Sequence, residues 1–217
     1  MNRKTTLLAT AALAALLAGG QAAAQNSGWY IGGGPGATKA KFESGDFTGL
    51  AAGTYSVDDS DTGLRVFGGY RVAPNWALEF GVAALGDYPH RFVGGTGTAV
   101  YRYDVSAATV AMAANLPLAG GVSVNGRLGA AFTATRLRGP STTGTIATNP
   151  PNCSNVLFFD DCTATKTNFL WGLGVQFDVN PRFGIRLDYD NYGEVGEEFE
   201  TGRAKIEALS ANAVFRF

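Results

Sequence analysis

The sequence predicts an all-β fold, a transmembrane up-and-down antiparallel β-barrel of eight strands, and three observations carry the prediction. Eight segments alternate apolar and polar residues with a period of two. The links between them alternate in length, short and then long. Only 16% of the residues are charged, against about 25% in an average soluble domain, while glycine supplies 30 of 217 positions and aromatics 12%.

The first 24 residues are unlike the rest. Arg3 and Lys4 form a basic start, the run from Thr5 to Ala18 holds only Leu, Ala and Thr, and Ala22-Ala23-Ala24 offers small residues for cleavage. This is the pattern of a secretory signal peptide over 1–24. The apolar run is shorter than the roughly 20 residues a membrane helix needs. The remaining 25–217 reads as one barrel domain. Without Arg3 and Lys4 it carries 15 basic against 18 acidic residues, a balance that gives no reason to expect a nucleic-acid partner.

Taken in order, the strands are read over 28–43, 63–73, 76–89, 99–116, 122–138, 166–179, 183–193 and 204–217. Pro74-Asn75, Pro117 to Gly121 and Asn180-Pro181-Arg182 are short, turn-rich links. The other connections, about 44–62, 90–98, 139–165 and 194–203, are longer and rich in Gly, Ser, Thr and Asp. Short turns at one end and long loops at the other are the arrangement of bacterial outer-membrane barrels, with both termini on the periplasmic side.

Side-chain alternation decides between a membrane barrel and a soluble one. Phe183, Ile185, Leu187 and Tyr189 oppose Arg186, Asp188 and Asp190; Phe169, Trp171, Leu173, Val175 and Phe177 oppose Asn168, Gln176 and Asp178. Trp76, Leu78, Phe80 and Val82 oppose Glu79 and Asp87, and Leu64, Val66 and Tyr70 oppose Arg65 and Arg71. An eight-stranded interior is only wide enough for side chains to fill it, so it cannot take the aromatics of every strand. The apolar faces must therefore look outward. One arginine on the lipid face near the midplane costs roughly 2–4 kcal/mol. Hence Arg65, Glu79, Arg127, Asp178, Arg186 and Asp188 are expected inside as a lumen charge network. Two segments fit less well. The 99–116 strand becomes nearly all small and apolar after Ser106, and Lys39 and Lys41 share the face of Trp29, Ile31 and Ala37, which puts them at the outer headgroups or behind a bulge.

The segment GLRVFGGYRVAPNWALEFGVAALGDY resembles the second hairpin of OmpA-type transmembrane domains, and GWYIGGGPG resembles their first strand. The closing ANAVFRF is similar to the terminal strand signal of outer-membrane proteins, with aromatics at alternate positions. The motifs are shared with the OmpX and OmpW types. The resemblance implies a Gram-negative outer-membrane protein in contact with outer-membrane lipid and lipopolysaccharide, and assembly through Phe215 and Phe217 read by the barrel-assembly machinery. OmpA proteins continue into a peptidoglycan-binding domain where this sequence stops, so cell-wall anchoring is not expected.

Cys153 and Cys162 in an exported chain are read as a disulfide closing the 139–165 loop, with free thiols as the alternative. That loop, with Val156-Leu157-Phe158-Phe159, is the candidate surface for an extracellular partner, unless those residues fold onto the rim. Two cysteines with no nearby histidine make a poor metal site, and no cofactor is expected. An enzyme acting on lipid A or phospholipid is the least favoured reading. His90 is followed by Arg91 and Phe92 without the adjacent Ser of the deacylase barrels, and is expected to be a loop or interface residue. The expected role is structural or surface-interacting, with a small-solute or hydrophobic-ligand conduit as the rival.

Overall fold

The computed structural model describes residues 28–42, 53–94, 97–143, 162–196 and 203–217. Nine strands follow one another: β1 (Trp29–Phe42), β2 (Gly53–Val57), β3 (Ser60–Ala73), β4 (Trp76–Gly94), β5 (Gly97–Pro117), β6 (Val122–Thr143), β7 (Cys162–Asp178), β8 (Phe183–Val195) and β9 (Ala204–Arg216). Each barrel strand pairs antiparallel with its neighbours in the chain, and β1 pairs with β9 from Tyr30↔Arg216 to Phe42↔Ala204, which closes an eight-stranded barrel. The ninth, β2, extends the line of β3 and pairs with the outer end of β4.

The short turns lie where the sequence puts them. Gly120 and Gly121 both take positive φ between β5 and β6. Between β7 and β8, the Asn180 side-chain oxygen accepts from the amides of Arg182 and Phe183 at 2.9 and 2.8 Å, which closes that turn. The long connections differ from expectation. Strand pairing runs on through most of 90–98, from His90↔Tyr101 to Gly94↔Gly97, and through 139–143, so part of what reads as loop is a tall extension of the sheet. The apolar 156–159 patch, Cys153 and the 1–24 segment lie outside the described residues, and so does the Cys162 side chain.

The barrel is inside-out relative to a soluble protein. Leu64, Phe80, Val82, Leu128, Phe132, Phe169, Leu173, Phe177, Leu187 and Leu209 are exposed, while Arg65, Glu79, Arg127, Arg186 and Asp188 are buried. From Phe169 on β7 to Val179 just past its end the outward residues are apolar, and at usual strand tilt that span is about 25 Å tall, the height of an outer-membrane apolar band. The small residues of β5 now have a place: Ala107, Thr109, Ala111 and Ala113 face inward, leaving room for long charged side chains from other strands.

Above the band the polarity inverts. Tyr88, His90, Tyr103, Leu137, Val195 and Ile206 are buried inside, while Asp87, Arg102, Asp104, Arg136 and Arg138 face out. Two glycine bulges sit at this transition. In β4 the register shifts between Ala84 and Gly86, and in β8 between Asn191 and Gly193. Gly86 (φ 122°) and Gly193 (φ 76°) occupy backbone conformations that side chains disfavour. The β4 bulge corrects two expectations. Asp87, read as sharing the face of Glu79, points out to Arg102, and His90, read as a loop or interface residue, points into the barrel. The single extra residue exchanges the two faces of the strand.

Replacing Leu173 by Arg, near the middle of the band, is expected to cost about 2–4 kcal/mol, whereas Thr165→Arg above it costs about 0–1. Reversible urea unfolding from lipid vesicles measures both, and equal losses would contradict the assigned band.

Candidate functional site

Period-two strands from four parts of the barrel bring six ionic side chains to one level of the lumen. Arg65 comes from β3, Glu79 from β4, Arg127 from β6, and Arg186, Asp188 and Asp190 from alternate positions of β8. All are at most 6% exposed. Asp188 is the hub. Its Oδ2 accepts from Arg186 Nε at 2.9 Å, Arg127 Nη1 at 3.1 Å and Arg65 Nη1 at 3.3 Å, and from the Asn212 amide at 3.0 Å. Asp190 takes Arg127 Nη2 at 2.5 Å and Arg65 Nη1 at 3.2 Å. Glu79 takes Arg186 Nη1 at 2.7 Å and stands 3.5 and 3.6 Å from Arg65 and Arg127.

Three guanidinium groups thus meet three carboxylates, and the layer is neutral. That matters because burying ions is repaid only when geometry and hydrogen bonds compensate the lost hydration. Further groups complete it. The Tyr30 hydroxyl donates to Glu79 Oε1 at 2.8 Å. The Phe67 ring lies 4.1 Å from the Arg186 guanidinium carbon and 4.6 Å from that of Arg65, a cation–π floor. Gly69 makes this possible: a Cβ there would overlap the Tyr30 ring that reaches across to Glu79.

Asp178 is not brought into this layer. It is half-buried at the periplasmic rim, where it pairs with Arg216 and accepts from Gln176 Nε2 at 2.7 Å. Asp188 is four or more residues deeper along the barrel than the rim, which explains the separation: one face of the lumen holds charges at more than one height. Asp190, Tyr30 and Asn212 were not singled out as network members. Asp190 was legible, since it continues the period of Arg186 and Asp188; Tyr30 and Asn212 lie on β1 and β9, and their approach depends on closure. Between the rim and the layer lies a cavity of about 30 Å³, lined in part by Tyr30, Glu79, Gln176 and Arg186, room for about two waters.

On the outer side, His90 packs edge-on against Phe42, with ring centroids 4.5 Å apart, and lies 5.9 Å from Tyr103. It faces the barrel interior and not the lipid. Phe215 and Phe217 face outward at the periplasmic end, edge to face at 5.4 Å, and the Phe217 amide donates to Trp29 O at 3.2 Å across the closing seam. In the link between β2 and β3, Asp59 accepts from the Ser60 hydroxyl at 2.9 Å, and this bond and the nearby Lys39 hold its carboxyl below the usual range.

With this geometry in place, the sequence matches the OmpA-like transmembrane domain over residues 24–217. The chain belongs to that family. Outer membrane protein A of Shigella flexneri is 26% identical over 221 residues, covering 99% of this chain and 56% of that protein. Outer membrane protein A of Salmonella typhi is 24% identical, covering 99% and 55%. The chain therefore spans about half the length of these relatives. The solid-state NMR structure of outer membrane protein AlkL in lipid bilayers shares the fold with a TM-score of 0.50 at 15% identity, covering 91% of this chain and 93% of that one. This OmpA-like protein is an outer-membrane barrel of Gram-negative type, in contact with the lipids of that membrane.

Removing one partner from the neutral layer strands a buried charge. Asp188→Asn is expected to lower unfolding free energy by about 3–5 kcal/mol, and Asp188→Leu with Arg186→Met by less than the sum of the two singles. Equilibrium unfolding in lipid vesicles measures the coupling; additive losses would mean that the pair does not act as a unit.

Proposed function

We propose that this protein is a structural and surface-interacting barrel of the outer membrane, with a lumen closed by charge-paired side chains. The observation that carries this reading is the layer built on Asp188, Glu79 and Asp190 with Arg65, Arg127 and Arg186. It crosses the lumen at mid-height, and the apolar filling around Tyr88, Tyr103 and Leu170 lies above it. A solute would have to displace both. The reading is of a wall element whose tall external strands meet the surroundings, with the 139–165 loop as a candidate contact for an extracellular partner.

A conduit for small solutes is the rival, and one observation favours it. The periplasmic cavity reaches Glu79 and Arg186, so an exchange of arginine partners would lengthen an existing opening. Catalysis on lipid gains no support from His90, which is turned into an aromatic cluster away from the lipid face. Planar-bilayer recording separates the two leading readings. The full chain is expected to give no reproducible unitary steps; steps of one defined size would sink the closed-lumen reading.

Phe215 and Phe217 are proposed as the signal read by the barrel-assembly machinery. Their outward placement at the end of the last strand supports this. Deleting Phe217 is expected to lower the amount of inserted protein in cells by about tenfold while leaving folding into detergent intact. Unchanged insertion would reduce both residues to interface aromatics.

A further inference from the structure

Below the neutral layer the lumen opens towards the periplasm, and the charges of that end do not balance. Arg71, Arg182 and Arg216 stand there, on β3, on the turn after β7 and on β9. Among the described residues the one acidic side chain at this end is Asp178, and Arg216 takes it. The turns at 74–75, 118–121 and 179–182 contain no Asp or Glu, and neither do residues 1–27, which precede β1. Arg71 has no ion pair among the described residues. Glu79 is the next carboxylate up the lumen, and it is matched within the layer by Arg186 at 2.7 Å. A positive charge is therefore left at this mouth that no side chain answers.

The cavity beneath the layer receives this charge. Arg71 and Arg216 line it together with Tyr30, Asn115, Asn125 and Gln176. Asn115 and Asn125 sit directly opposite each other on β5 and β6. Neither completes its hydrogen bonds within the described protein: Asn125 Nδ2 and Asn115 Oδ1 are buried without a partner. Asn125 is only 6% exposed, and a donor buried so far from bulk solvent needs an acceptor beside it. The other polar groups of the lining are engaged. The Tyr30 hydroxyl donates to Glu79 and Gln176 Nε2 donates to Asp178. The donors left to face the cavity are the Asn125 amide and the Arg71 guanidinium.

Size and charge select the occupant. The cavity measures about 30 Å³, room for about two waters. A sulfate or phosphate, with four oxygens around its centre, is too large for it, and a cation is repelled by Arg71. One surplus guanidinium in the lining calls for one negative charge. Water alone would satisfy the two amides but leave that charge unanswered. A halide little larger than a water molecule meets both demands. It accepts from Asn125 Nδ2 and leaves space for one water to donate to Asn115 Oδ1. The apolar barrel wall around the cleft concentrates the field of the arginines on this site.

We propose that the periplasmic vestibule holds a single small monovalent anion of the size of chloride, bound between Asn125 and Arg71. Its charge brings this end of the lumen to neutrality, as the carboxylates do for the layer above. The site lies on the periplasmic side of that layer, so it is present whether or not the lumen conducts.

The test uses crystals of the full chain soaked in sodium bromide over a series of concentrations, with bromide located by its anomalous scattering. A peak is expected beside Asn125 Nδ2, on the side of Arg71, and added chloride should remove it while added sulfate should not. Arg71→Gln is expected to need at least about tenfold more bromide for the same occupancy, the equivalent of one lost charge-assisted hydrogen bond. Asn125→Leu should show a similar loss. Arg182→Gln, at the same end but outside the cavity, should stay within about twofold. If Asn125→Leu fails to fold, the exposed Arg71→Gln carries the test alone. A cavity that holds only water at every bromide concentration would overturn the proposal. So would occupancy unchanged by Arg71→Gln, or lowered as much by Arg182→Gln, since the bromide would then be an adventitious ion only. Displacement by sulfate as readily as by chloride would likewise sink it, because size would not select the anion.

Discussion

Closure of the sheet is the constraint on which the rest depends. In hydrocarbon there is no water to satisfy an open strand edge, so β9 must return to β1, and it does so from Arg216 to Ala204, with a break opposite Gly34 and Pro35. Closing only eight strands leaves an interior with no space for a channel and a core at once. The residues facing that interior must fill it, and they must be those that cannot face lipid. The neutral layer around Asp188 is the outcome of both demands. Its long side chains are admitted by the alanines of β5 and by Gly69, which clears the path of Tyr30.

Much of this was legible because a period of two carries sidedness directly. β7 and β8 could be assigned residue by residue, and the outward side followed from the size of the lumen. Arg65, Glu79, Arg127, Arg186 and Asp188 were readable as lumen residues for the same reason. Which arginine meets which carboxylate was not, because pairing across the lumen joins residues as distant as Glu79 and Arg186. Asp178 shows the limit: it has the right face and charge, but the wrong height for the Asp188 layer, and Arg216 takes it instead.

The outer third was harder to read for a different reason. There the solvent outside is water, so polar residues on the outer face and aromatics inside are the stable arrangement. Segments rich in Gly, Ser, Thr and Asp read as loops, yet β4, β5 and β6 continue through them as strands. Tyr88, His90 and Tyr103 form a small interior of the kind found in soluble sandwiches, stacked on a membrane barrel. A sequence rule calibrated for one solvent fails where the chain passes into another.

Gly86 marks that passage in β4. It acts on sidedness as an inserted base acts on a reading frame: everything after it is read in the other phase. Were the strand to run through Gly86 without the bulge, Asp87 would enter the aromatic interior, and Tyr88 and His90 would be displayed to water. A residue with no side chain thus sets the meaning of the strand beyond it.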